Sequence, residues 1–214
     1  MIVAIMIGRK GSSGFPGKNT TAVAGHPMAW WPLEAARNTP EIDVAYVSTD
    51  DPEIARIGAD MGARLIERPA YLASNEALGE DAFVHAHQVI TAELGAAGAA
   101  PELYVLLMAN AVTISSAQLT EGITAMRERP DLDSAVTVSC YNMWSPLRAR
   151  KITDDGLLQP FVPFEVFGDP ATLSCDRDSQ GDVWFADMGV SIVRPRNLDD
   201  LHSGLLPQKW MGQR

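Results

Sequence analysis

The sequence predicts an α/β fold in three layers, a mostly parallel sheet with helices on both faces. Three observations carry that prediction. Runs of strand length and composition recur at Ile2–Ile7, Asp43–Ser48, Leu103–Met108 and Ser134–Ser139, and segments of helical periodicity separate them. Alternation at this spacing implies strand–helix–strand units. The 214 residues suffice for one sizeable core, and 46% hydrophobic with 21% charged residues is globular composition. A single domain over 1–214 is expected, with an insertion at 141–182.

Each element has its own reason. Ile2 to Ile7 is too short and too uniformly apolar for an amphipathic helix, and fits a strand buried on both faces. No basic segment precedes it, and Gly8 and Arg9 follow at once, so it reads as a first strand and not a signal peptide. Pro27 to Arg37 predicts a helix. After the second strand, Asp51, Pro52 and Glu53 offer an N-cap, a first-turn proline and an early acid, and Ile54, Ile57 and Met61 then share a helix face before Gly62 closes it. Ala63 to Ile66 predicts a third strand. Leu78 to Leu94 predicts a helix with Phe83, Val84, His87, Val89 and Ile90 partly on one face, and Gln118 to Arg127 another. Segment 141–182 is rich in proline and aromatics, and its aromatic density favours burial against the core or another subunit. Alternation returns over Val183–Val193. The loops at 8–19, 49–51 and 109–114 follow strand ends, so they are expected to line one crevice.

Charge narrows the function. Lys plus Arg number 17 against 27 Asp plus Glu, a net charge of −10, which argues against nucleic-acid and membrane partners. No run approaches the roughly 18 apolar residues of a membrane span. Cys140 and Cys175 lie far apart without ligand-spaced neighbours, as expected of a reduced, cytoplasmic protein. His85 and His87 point to different sides of their helix, and the histidines carry little. Yet residues 1–33 hold Arg9, Lys10 and Lys18 and no acid, and two of the chain's four lysines fall in the segment Gly8–Asn19 together with Gly8, Gly11, Gly14 and Gly17. Glycines let the backbone approach an anion and present successive N–H groups to it, while Arg and Lys neutralise its charge. That combination suits a polyphosphate. It is not a Walker loop, because Ser12 stands at the first glycine position and Asn19 at the hydroxyl position; nor is it a dinucleotide fingerprint, because Pro16 interrupts the glycine spacing.

In order, Arg9, Gly11, Ser12, Gly14, Pro16, Lys18 and Asn19 resemble the opening signature of the acylneuraminate cytidylyltransferase family, enzymes that make CMP-activated acidic sugars such as CMP-sialic acid. Val47–Ala55, with its Ser-Thr-Asp-Asp, and Gly62-Ala63 followed by Arg68-Pro69 and Leu72-Ala73 are similar to the next two blocks. The resemblance implies a nucleotide-diphospho-sugar-transferase-like fold with a dimerisation-type insertion. It makes Arg9 and Lys18 catalytic contacts to the phosphates of CTP, with Lys18 stabilising charge on the α-phosphate as pyrophosphate leaves. Gly8, Arg9, Gly11, Ser12, Lys18, Asn19 and Arg68 would bind nucleotide, and Asp187, at the asparagine of the family's Asn-Gly-Ala-x-Tyr-Ile element, would bind sugar. By its own chemistry Asn110 is a candidate for sugar or metal through its carbonyl, and equally a helix cap.

Departures from the family pattern fall on the phosphate loop, where Ser13 removes one positive charge that the neighbouring Lys10 can offset, and on the sugar and metal sides. Ser13 stands where the family usually has lysine, Met108 where it has glutamine, and Ile114 where it has arginine, so a sugar hydrogen bond and a carboxylate partner are lost. The family's distal Asp-x-Asp is not matched up to Arg214; Asp199-Asp200 reads as a solvated turn or helix start. Magnesium (Mg2+) is the expected cofactor, with Asn110 and Asp187 as thin candidate ligands. The expected activity is CMP transfer from CTP to a sialic-acid-like sugar, by a homodimer. Transfer to another sugar acid or sugar phosphate is one alternative, and nucleotide binding without catalysis is the other.

Overall fold

Strand β1 (Ile2–Ile7) is buried at every position. Successive side chains of a strand leave opposite faces, so Ile2, Ala4 and Met6 enter one core cluster and Val3, Ile5 and Ile7 the other. Only a central strand can do this. It pairs in parallel with β4 (Val44–Thr49) and β6 (Leu103–Met108), and β4 pairs in parallel with β5 (Arg64–Glu67). Antiparallel to β6 runs β10 (Trp184–Val193), and with β7 (Ser134–Cys140) the six-stranded order is β5-β4-β1-β6-β10-β7. Helices α1 (Trp30–Arg37), α2 (Pro52–Asp60) and α5 (Ser116–Glu128) cover one face with Leu33, Ile54, Ile57, Leu119 and Ile123. On the other face α4 (Gly79–Ala96) supplies Phe83, Ala86 and Ile90. Each buried Leu, Ile or Phe among these contributes about 1.5–3 kcal/mol. The predicted three-layer α/β fold with a mostly parallel sheet is the one observed.

The computed structural model describes every residue except Ser12, Ser13, Asn75 and Cys175. Two units can be separated within it, Met1–Thr137 with Met188–Arg214, and Val138–Asp187. In the second, β8 (Arg150–Ile152) and β9 (Leu158–Pro160) form an antiparallel hairpin. Ile152, Leu158 and Val166 are 70% exposed or more, and Tyr141, Trp144 and Phe161 are exposed as well. Within the chain, then, these aromatics are not taken into a core.

Two sequence expectations need correction. Pro27 does not begin a helix; His26–Pro27 is strand β3, hairpinned to β2 (Ala22–Val23), and α1 starts at Trp30. Ala24 and Gly25 both have positive φ, the two-residue turn whose twist suits a hairpin, and this outweighs the preference of proline for a helix start. Val89 is 37% exposed and does not share the buried face of Phe83, His87 and Ile90. Six residues beyond Phe83, it has rotated to the other side of the helix.

His87 does more than its spacing suggested. It is buried, its Nδ1 lies 2.9 Å from the Tyr104 hydroxyl, and its Nε2 lies 2.8 Å from Oδ1 of Asp199, in the short helix α6 (Arg196–Asp199). One side chain thus ties α4, β6 and α6 together. Burial pushes the Tyr104 phenol up to about 12, so it stays a neutral partner at ordinary pH.

Asp51 is the N-cap of α2, its carboxylate accepting the Glu53 N–H at 2.8 Å, with Pro52 at the first helical position. Asp51→Ala is expected to cost about 1 kcal/mol in urea unfolding, with the slope unchanged. An unshifted midpoint would remove the cap from the account.

Candidate functional site

At the carboxyl ends of β1 and β6 lies a cavity of about 300 Å3, lined by Gly8, Arg9, Gly11, Lys18, Asn19, Arg68 and Asn110, with Ile7, Leu72, Leu78 and Met108 as apolar wall. Open parallel sheets place their sites at this end. The loop leaves β1 through Gly8, where a Cβ would stand 2.8 Å from the Cβ of Ala109 and 3.1 Å from Cδ1 of Ile54. Only glycine lets the loop and the β6 turn approach so closely. Gly17, at φ 71, turns the chain back into the short 3-10 segment Lys18–Thr20.

The loop is anchored by its own backbone. Gly8 N–H donates to the Ser48 carbonyl at 3.2 Å, Lys10 N–H to the Asp50 carboxylate at 2.9 Å, and the Asn19 side-chain amide to the Arg9 carbonyl at 3.3 Å. The Arg9 guanidinium donates to the carbonyl of Ser74.

Arg68 follows the end of β5 and is 9% exposed. Its Nη2 donates to the Ser48 carbonyl at 2.6 Å and its Nε to the Ser48 hydroxyl at 3.4 Å. Burial lowers its pKa to about 10; the charge of Asp50 opposes that shift and the charge of Arg9 adds to it. Two guanidinium groups therefore repel one another at one end of the sheet, one of them largely desolvated. Among the described residues, neither they nor Lys10 and Lys18 form an ion pair, and no carboxylate lines the cavity. A buried cation without an ion-pair partner is costly, and an anionic ligand relieves that cost.

The structure brings together Gly8, Arg9, Gly11, Lys18, Asn19, Arg68 and Asn110 of the predicted set. Ser12 and Ser13 lie outside the described residues. Asp187 belongs to the second unit, where its carboxylate accepts a hydrogen bond from the Ser139 hydroxyl at 3.0 Å. Residues 49–51 do not line this cavity but an adjoining one, shared through Arg68, because Asp50 is turned to the Lys10 amide and Asp51 to α2. Sequence reasoning missed the wall made by Leu72, Leu78 and the start of α4. The helix signal at Leu78 was the clue, since its first turn opens beside Ile7.

Magnesium takes one or two carboxylates together with substrate phosphates. Among the described residues, the side-chain oxygens lining the cavity are the amide oxygens of Asn19 and Asn110, and no group of three His, Cys, Asp or Glu is suited to a metal. This lining does not fit an ion held by the protein alone.

A cytidylyltransferase family model matches residues 3–129. The chain belongs to the cytidylyltransferase family. Among curated relatives of this family member, an N-acylneuraminate cytidylyltransferase of Oncorhynchus mykiss is 37% identical over 67 residues, 31% of this chain and 16% of that protein. A 3-deoxy-manno-octulosonate cytidylyltransferase of Anaeromyxobacter dehalogenans is 38% identical over 65 residues, 30% of this chain and 27% of that one. The match thus spans under a third of either relative. A solved CMP:2-keto-3-deoxy-manno-octonic acid synthetase, complexed with CTP, superposes with a TM-score of 0.65 at 18% identity, covering 97% of this chain and 80% of that one. A cytidylyltransferase from Leptospira borgpetersenii gives 0.57 at 12% identity, covering 99% of this chain and 68% of that one. At these identities the structural likeness establishes the fold. No helix of the described residues is long and apolar enough to cross a membrane.

Gly8→Ala is expected to force Ala109 and the β6 turn apart, at a cost of about 1–3 kcal/mol in chemical denaturation. Wild-type stability in that variant would show that the close approach is not required.

Proposed function

We propose that this chain transfers CMP from CTP to a 2-keto sugar acid and releases pyrophosphate. The observation that supports it most is the carboxylate-free cavity holding Arg9, Lys18 and Arg68. Family membership and relatives that are cytidylyltransferases for sugar acids support the same reading.

The anomeric hydroxyl oxygen of the sugar attacks the α-phosphorus as the bond to the bridging oxygen of the β-phosphate breaks. The hydroxyl proton passes to water, and pyrophosphate leaves with the electron pair of the broken bond. Transfer of this kind is mostly positioning and charge neutralisation, so the side chains needed are cations. Arg9 offers a planar fork to phosphate oxygens, and Lys18 a compact charge for the α-phosphate as charge grows there. Gly8 and Gly11 admit the phosphates, Asn19 and Arg68 face the nucleoside, and Asn110 faces the sugar. Asp187, in the second unit, is proposed as a sugar-binding residue from the family pattern alone. Magnesium is proposed to be bound only together with the triphosphate, since the described lining offers no carboxylate.

The sugar is proposed to be sialic-acid-like, following the opening signature. A second reading, transfer to another sugar acid, is favoured by Met108. It lines the cavity with a thioether that cannot replace an amide, and Ile114, partly buried against the core, offers no cation to a sugar carboxylate. We also propose a homodimer formed through the second unit, supported by exposed Ile152, Leu158 and Val166.

Pyrophosphate release from CTP should require an acidic 2-keto sugar; release without sugar, or none with any sugar acid, would contradict transfer. Lys18→Ala should lower kcat by about 10²-fold or more while changing CTP affinity less, because its charge acts mainly in the transition state. Equal loss in both would make it a plain binding residue. Calorimetry should detect no tight magnesium binding to the nucleotide-free protein, and a micromolar site there would contradict the donor set described.

A further inference from the structure

The adjacent carboxylates Asp50 and Asp51 are turned to different tasks. Asp51 caps α2, whereas Asp50 reaches across to the phosphate loop and accepts the backbone N–H of Lys10 at 2.9 Å. Two residues back along the loop, the Gly8 N–H is held by the carbonyl of Ser48. Arg9 therefore sits between two pinned amides, and its own carbonyl accepts from Asn19. Ser48, near the end of β4, also holds Arg68, through its carbonyl and hydroxyl. Asp50 itself lines the adjoining cavity beside Arg68, not the cleft with the cations, so its carboxylate does not confront an incoming phosphate.

We infer that Asp50 is a positioning residue of the nucleotide site, fixing the backbone of Arg9 through the Lys10 amide from behind the cleft. This rests on the nucleotide reading above and deepens it. A loop carrying glycines at 8, 11, 14 and 17 has much conformational freedom to lose on binding. A charge-assisted bond from the end of a buried strand removes part of that loss beforehand, and affinity rises as it does. A carboxylate inside the cavity could balance the cations equally well, but would repel the ligand. Asp50 supplies the bond and the balancing charge without the repulsion. It is exposed in its own right, so the global fold depends on it little.

The test compares CTP affinity by calorimetry, thermal midpoint, and hydrogen exchange of the Lys10 amide in the free protein. Asp50→Ala should weaken CTP binding about tenfold, or about 1.4 kcal/mol, and speed exchange at Lys10 while moving the midpoint little. Asp50→Asn keeps an oxygen acceptor and should restore most of the affinity and protection. Wild-type affinity in Asp50→Ala would overturn the inference, and so would equal loss in both variants, because the pin would then not be the hydrogen bond. If the wild-type protein itself fails to bind CTP, the nucleotide reading falls and the inference with it; that failure is recognised separately, since exchange at Lys10 would still respond to Asp50→Ala.

Discussion

The site depends on holding cations together at the carboxyl end of a parallel sheet, around a cavity whose described lining contains no carboxylate. Arg9, Lys18 and Arg68 line one cavity, and Arg68 is buried enough for its proton to be held less tightly than usual. Like charges brought together in a partly dry place repel, and a folded chain tolerates this only where the surrounding structure enforces it. The protein is acidic overall, so the local excess of positive charge is not a by-product of composition. The proposed anion site rests on that local excess.

What enforces it is the central strand. Because β1 is buried on both faces, its carboxyl end is fixed by the whole core, and the loop that follows inherits that position. Parallel pairing with β4 and β6 then brings three strand ends to one level. Ser48 at the end of β4 holds both Gly8 and Arg68, and the turn after β6 packs on Gly8 so closely that a methyl group would collide. Rigid elements thus aim flexible ones, which is how a glycine-rich loop can present charges at defined points.

Much of this was legible in the sequence because it rests on local signals. The apolar runs of β1 and β6, the Asp51-Pro52-Glu53 start of α2 and the clustering of Arg9, Lys10 and Lys18 each carry their meaning within a few residues. Resemblance to a family then supplied the nucleotide. What was not legible depended on contacts between distant residues. Pro27 reads as a helix start until Ala24 and Gly25 are seen to turn a hairpin. His87 seems idle until Tyr104 and Asp199, the latter 112 positions away in sequence, are seen to bond it. Asp50 and Asp51 are indistinguishable as letters, and their division of labour appears only when Lys10 is placed opposite one of them.

The most direct measurement is a crystal structure of the protein with CTP bound. The account predicts the triphosphate within hydrogen-bonding distance of Arg9 and Lys18, with Arg9 released from the carbonyl of Ser74 and the nucleoside beside Arg68 against Ile7 and Leu78. CTP bound elsewhere, or bound with Arg9 still donating to Ser74 and Lys18 turned to solvent, would contradict it.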